Sequence, residues 1–429
     1  MSTLLKGRIF TFDGIFEGSI LIEGGIISKI ARGDLNVRAD ESLDFRGKPD
    51  CLILPGFIDA HVHLRDLELS YKEDFYTGTR AAAKGGYTII ADMPNSKPRT
   101  NTPSSLEEKA RIAEEKAMVD FGLYYGVPKD PAHLTEIVKE LAIGIKIYMV
   151  EDFYSETREM AMMAFSYAAG ENLPVVVHAE NPSFFVDSLS GKIRTTEAEA
   201  SAIGDACAAA TNYGFQLHVT HLSSLKGLNE FIRWKEKLGC TSDTCPHYFL
   251  LTEEVVESLK GVAKVYPPLR GEADVRAILE AVRTGKIDAI TSDHAPHAIW
   301  EKAVEFERAL GGFPGLETTL PLLLTLVEKN LLKLEDLVKL CSTNPAKIFR
   351  IKNVGAIEEG KIGNLTVVDL GRRHKIEPEN FESKSKLSPF RGMEVIGKAV
   401  ATIVRGSPVM LEGEIIGEKG WGTNVKNYG

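Results

Sequence analysis

Residues 53–66 read ILPGFIDAHVHLRD. An apolar run passes through Pro55 and Gly56 into Phe57, Ile58, Asp59 and Ala60. It stops on His61 and His63, with Arg65 two places further on. Alternate side chains of a β-strand share a face, so this spacing sends His61, His63 and Arg65 out together where a buried strand ends. Two imidazoles on one rigid strand end are half of a metal site, with a fixed cation beside it. The remaining ligands have to come from other parts of the chain.

Working outward, residues 52–354 alternate strand-like and helix-like segments. Strands are expected at residues 87–92, 121–127, 143–148, 174–178, 215–221, 240–245 and 287–293. Helical patterns open at Pro103 and run through Leu225 to Ile232. Eight strand–helix units in roughly 300 residues suit an α/β fold of the (β/α)8 TIM-barrel type. An open doubly wound sheet fits less well, because reactive-looking residues come from nearly every strand, and only a barrel turns all its strand ends to one mouth. On either side, residues 1–51 and 355–429 are rich in short strands broken by glycines such as Gly14, Gly24 and Gly25. They are expected to form one small β-sandwich-like domain from both termini, since domain termini often lie close together.

The 429 residues are 44% apolar, enough for a large core. A net charge of -9 and the lack of a basic block argue against nucleic acid as a partner. No apolar run has the length of a membrane span, and the first residues do not read as a signal peptide. The cysteines (51, 207, 240, 245 and 341) are five, scattered and sparse. A disulfide framework is not expected, and a reducing cytoplasm is.

The strand ends collect a consistent chemistry. His61 and His63 end the first strand, Lys146 lies in the fourth (GIKIYM), and His178 ends the fifth (VVVHAE). His221 ends the sixth (HVTHLS) and Asp293 the eighth (SDHAPH). Four imidazoles and a carboxylate suit Zn2+ or a similar divalent ion. His218 faces away from His221 and reads as structural. Lys146 has two readings. As an ammonium it repels a metal and needs an acid beside it. Burial lowers a lysine's pKa, and a neutral amine can instead take up carbon dioxide as a carbamate whose two oxygens bridge a metal pair.

With these residues in hand, the sequence resembles the amidohydrolase superfamily, and within it the long, type I dihydroorotases. The resemblance runs from about Leu54 to Ile348. It is carried by HVHLRD, MPNSKP (residues 93–98), GIKIYM, VVVHAE, SDHAPH and GFPGLETTLPLLL (residues 312–324). It implies two Zn2+ per chain, held by His61, His63, His178, His221 and Asp293 and bridged by carboxylated Lys146. It implies substrate contacts at Arg65, Asn95 and His297, with the Phe313–Pro314 backbone closing the pocket. The implied reaction is the reversible closure of N-carbamoyl-L-aspartate to L-dihydroorotate in pyrimidine synthesis, with Asp293 moving the proton. Arg65 favours a carboxylate-bearing substrate over those of the related hydantoinases and allantoinases. A catalytically dead scaffold for a carbamoyltransferase should lose ligands, and this chain keeps the set. A homodimer and an association with a carbamoyltransferase stay open as partners.

Several positions depart from the family pattern. Asp66, Leu67 and Glu68 follow Arg65 where many relatives have Asp-Pro-Gly. Tyr266 stands where some have a substrate-binding Asn. Asp243 stands where some have a Glu near the metals, and is expected to make a structural hydrogen bond. His247 and His294 are expected outside the ligand set. The charged, helix-like segment 299–311 is expected to act as a lid.

Overall fold

The computed structural model describes residues 2–188 and 191–428. Eight strands make one parallel sheet: Phe57–Val62, Tyr87–Asp92, Asp120–Gly126, Ala142–Tyr148, Val175–His178, Leu217–Val219, Thr241–Thr244 and Ala289–Ile290. Every expected strand is present, and each pairs with its neighbour in chain order. The last strand bends back to the first. Val62 bridges His294 in parallel, and the backbone N–H of Ser292 donates to the Asp59 carboxylate at 3.1 Å. The sheet is therefore a nearly closed barrel.

Helices cover the outside, and local chemistry starts and stops them. The helix Pro103–Lys116 begins with Pro at its first turn, and Thr102 and Ser105 cap each other reciprocally. Leu225–Leu238 is capped by the Ser224 hydroxyl and ends on Gly239 at φ 63°, a left-handed conformation that glycine adopts without a Cβ penalty.

Both ends of the chain build a second sheet. Its path takes Glu414–Ile415, Ser407–Leu411, Glu394–Val404 and Leu365–Lys375 to Cys51–Pro55, and then Ser2–Thr11, Gly14–Glu23 and Ile26–Arg32. A separate core of Leu5, Ile9, Ile20, Ile53, Val367 and Ile403 packs against it.

Two features differ from expectation. Residues 53–66 are not one strand. Cys51–Pro55 pairs with Leu365–Asp369 in the terminal sheet, and the chain passes to the barrel at Gly56, so this strand lies across the expected boundary at residues 51 and 52. Gly56 fits because it has no side chain: a Cβ there would stand 2.3 Å from Thr88 Oγ1 and 2.9 Å from the Asn364 carbonyl carbon. The second is the segment 299–311, which is helical only over Ile299–Lys302. Beyond it lysines satisfy the carbonyls that a helix would bond internally. Lys302 Nζ donates to Leu310 O at 2.9 Å, and Lys264 Nζ donates to Phe306 O at 2.8 Å and Glu307 O at 3.1 Å. The segment is folded back on itself as a loop at the barrel mouth.

Candidate metal centre and binding cavity

A cavity of about 460 Å³ opens where the barrel strands end. His61, His63, His178, His221 and Asp293 all face it, although they come from four different strands. Nε2 of His61 and of His63 lie 3.4 and 3.2 Å from the same oxygen, Asp293 Oδ1. Nδ1 of His178 and Nε2 of His221 are 2.9 Å apart, and the His61 and His221 rings stand 5.3 Å centre to centre. Left-handed backbone turns bring two of these side chains inward, at His221 (φ 42°) and Asp293 (φ 46°). Such conformations cost of order 1–3 kcal/mol each and cluster at functional sites.

The electrostatics suit a cation. Burial holds all four imidazoles neutral. It pushes His63 down to about 3, helped by Arg65, and takes His61, His178 and His221 well below the usual histidine range. Neutral imidazole is the form that ligates. Nδ1 of His61 and of His221 are buried without a hydrogen-bond partner, as expected of groups shaped for something other than protein. Burial also raises the Asp293 carboxyl to about 7. This donor set fits a divalent metal, and His61, His63 and Asp293 already converge within 4.8 Å of one another.

Lys146 is fully buried beneath the histidines. Its Nζ donates to Thr220 Oγ1 at 3.2 Å, and burial lowers its pKa to about 8. Among the described residues no ion pair to it is found.

The other expected residues fall into two groups. Arg65, Asn95 and His297 line the cavity. Arg65 arrives by a different route from the strand alternation read in the sequence, since the strand ends at Val62 and Arg65 itself is left-handed, at φ 61°. Its guanidinium, buried, donates to Pro296 O at 3.3 Å. Asn95 Oδ1 lies 2.7 Å from His63 Nδ1, so it also orients that ring and leaves Nε2 for Asp293 or an ion. Phe313 and Pro314 stand one step behind the wall, which is made here by Leu310, Gly311 and Gly312. The Phe313 ring packs on His247, 5.0 Å between centres. His218 bonds to Asp243 at 3.0 Å, and Asp243 also accepts from the His221 N–H at 2.7 Å and from Thr291 at 3.0 Å. Both sit behind the ligands. Nδ1 of His294 accepts the Gly315 N–H at 3.2 Å.

Sequence reading missed a further pair. Glu180, fully buried, sits 2.7 Å from His178 Nε2 and pairs with Arg194. Arg194 in turn stacks on Tyr266, 3.8 Å from its ring centre. Glu180 was findable, because a carboxylate two residues after a ligand histidine on one strand end is a natural partner for its second nitrogen. Arg194 comes from the turn-rich stretch after Gly191–Ile193 and left no periodic signal.

Residues 52–409 match the model of the amidohydrolase family. The chain is 37% identical to a dihydroorotase of Methanosphaera stadtmanae, over 97% of this chain and 98% of that protein. It is 35% identical to a dihydroorotase of Pyrococcus furiosus, over 97% and 95%. Among solved structures it superposes on an L-hydantoinase (dihydropyrimidinase) from Arthrobacter aurescens with a TM-score of 0.91. That match has 31% identity and covers 98% of each chain.

Proposed function

The chain belongs to the amidohydrolase family, as a dihydroorotase-type cyclic amide hydrolase, and on that premise we propose that it interconverts N-carbamoyl-L-aspartate and L-dihydroorotate in pyrimidine synthesis. The observation that carries the substrate choice is Arg65. A buried guanidinium on the cavity wall, beside the His61–His63 pair, is a fork for a carboxylate. Dihydroorotate keeps one, and uncharged hydantoin has none. Asn95 and His297 add polar contacts to the same side of the cavity.

His61, His63 and Asp293 would hold one Zn2+, and His178 and His221 a second, with Lys146 between them as a carbamate. Support for the carbamate is its setting, a fully buried amine with no ion pair among the described residues, its pKa lowered by burial, in a place where two dications would need an anion. The metal, when bound, polarises the reacting carbonyl and makes a water more acidic. Asp293 holds and moves the proton. In hydrolysis its carboxylate accepts a proton from the attacking water and passes it to the departing amide nitrogen. In closure the same steps run backwards, and the acid form donates to the departing hydroxyl. Glu180 and Asn95 keep His178 and His63 in one orientation. The five cysteines are all free and buried, which supports a reducing compartment such as the cytoplasm.

The test is to assay the metal-loaded chain with carbamoyl-aspartate, dihydroorotate, hydantoin and allantoin. Dihydroorotate should be turned over and hydantoin poorly. Arg65→Ala should lower kcat/KM for dihydroorotate by about thirtyfold or more with metal content unchanged. A native protein that hydrolyses hydantoin well and dihydroorotate not at all would make it a hydantoinase instead, the activity named for its structural neighbour.

A further inference from the structure

His297 lies between two sets of partners, Arg65 and Gly311 on one side and Lys72 and Glu301 on the other. On the cavity side, its Nε2 is 3.0 Å from Gly311 O and 3.3 Å from Arg65 Nη2. A carbonyl oxygen only accepts and a guanidinium only donates, so the Gly311 contact requires the proton on Nε2. On the far side, Nδ1 is 3.2 Å from Lys72 Nζ. An ammonium has three donors and no acceptor, so this contact requires a bare lone pair on Nδ1. Two groups ask for the opposite arrangement, and each stands further off than the contact it opposes: Arg65 Nη2, 3.3 Å from Nε2 against 3.0 Å for Gly311 O, and Glu301 Oε2, 3.5 Å from Nδ1 against 3.2 Å for Lys72 Nζ. Glu301 Oε2 moreover already accepts the Ala298 N–H at 3.0 Å. The other oxygen of Glu301 sits 3.0 Å from Lys72 Nζ and aims the ammonium at the ring. The shorter contact on each side of His297 thus specifies one neutral tautomer.

We propose that Lys72 is a positioning residue that fixes His297 in its Nε2–H tautomer, so that the N–H which Gly311 O accepts is there for the substrate's carboxylate beside Arg65 to share. The kinetic part of this inference rests on the dihydroorotase reading, and the tautomer does not. A histidine free to protonate Nδ1 instead would turn a lone pair toward an anionic ligand and repel it. Lys72 removes that option without adding a charge to the ring. Burial and the cations of Arg65 and Lys72 keep the imidazole neutral, its pKa pushed down to about 3.

The test uses the full, zinc-loaded chain with histidine labelled in its ring nitrogens for NMR, His297 being assigned by its loss in His297→Asn. The native protein should show a bare Nδ1 and a protonated Nε2. Lys72→Met should mix the tautomers and raise KM for dihydroorotate about tenfold, with kcat changed less than about twofold. Lys72→Arg, which keeps the donor, should restore the tautomer and most of the affinity. A protonated Nδ1 in the native protein overturns the proposal, and so does an unchanged tautomer in a folded Lys72→Met. If Lys72→Met does not fold, the native spectrum and Lys72→Arg decide. A native chain with the Nε2–H tautomer but no turnover of dihydroorotate would defeat the substrate reading and leave the tautomer standing.

Discussion

Asp293 combines three properties seldom found in one residue: a left-handed backbone, full burial, and two histidine nitrogens on one of its oxygens. On the proposed mechanism its protonation state sets the direction of the chemistry. Hydrolysis needs the carboxylate, so its rate should rise as pH climbs through the group's pKa, and ring closure needs the acid, so its rate should fall over the same range. Burial places that pKa near 7 without metal, and a neighbouring dication favours the charged form and moves the midpoint lower. Parallel pH profiles in the two directions would remove Asp293 from this role. Asp293→Asn should cost about a hundredfold or more in rate with little change in Tm, since Asn tolerates positive φ. Lys146 belongs to the same scale. Lys146→Ala should lose the paired metal site and nearly all activity, and a short carboxylic acid in solution should restore part of both by filling the space of the missing carbamate. An active, fully loaded crystal with a bare ammonium at Lys146 would end that idea.

Among the elements, the join between the two sheets is the most sensitive. Gly56→Ala would push a methyl group against Thr88 and the Asn364 backbone, and overpacking of this kind costs about 1–3 kcal/mol. Denaturant midpoints should fall by that cost divided by the unfolding slope, while the slope itself stays unchanged. The same join shows what could be read in advance. Strands such as Tyr87–Asp92 and Ala142–Tyr148 announce themselves because parallel strands buried on both faces are continuous apolar runs, and the candidate ligand residues sit where those runs stop. Arg65 was found by a period-two argument that the backbone does not obey beyond Val62, and left-handed turns leave no mark in the pattern. The loop after Lys302 misled because its charges and spacing look helical, while its carbonyls are bound by the side chains of Lys302 and Lys264. Arg194 could not be read at all, since contacts across distant loops have no period.

At the scale of the molecule, barrel and terminal sheet are tied together by polar contacts as well as by the chain crossing at Gly56. Glu317, on the barrel helix Leu316–Glu328, accepts the backbone N–H of Glu382 at 2.9 Å and of Ser383 at 3.2 Å, which lie between two strands of the terminal sheet. Burial outweighs these hydrogen bonds and raises its pKa from 4.5 to about 8. A carboxyl whose folded pKa is raised stabilises fully below its unfolded value and loses that stability as pH rises through the folded one. Glu317→Gln should therefore gain stability relative to the native chain between pH 4.5 and about 8, measured by paired denaturant titrations. An unchanged difference across that range would show that Glu317 is ionised in the folded protein. The strand Cys51–Pro55 carries a consequence for synthesis. Its partner on one side, residues 365–369, lies more than 300 positions downstream. At about 5–20 residues per second, that partner leaves the ribosome roughly 15–60 s later. Until then the nascent chain carries an unpaired apolar strand edge of the kind that invites pairing with other chains.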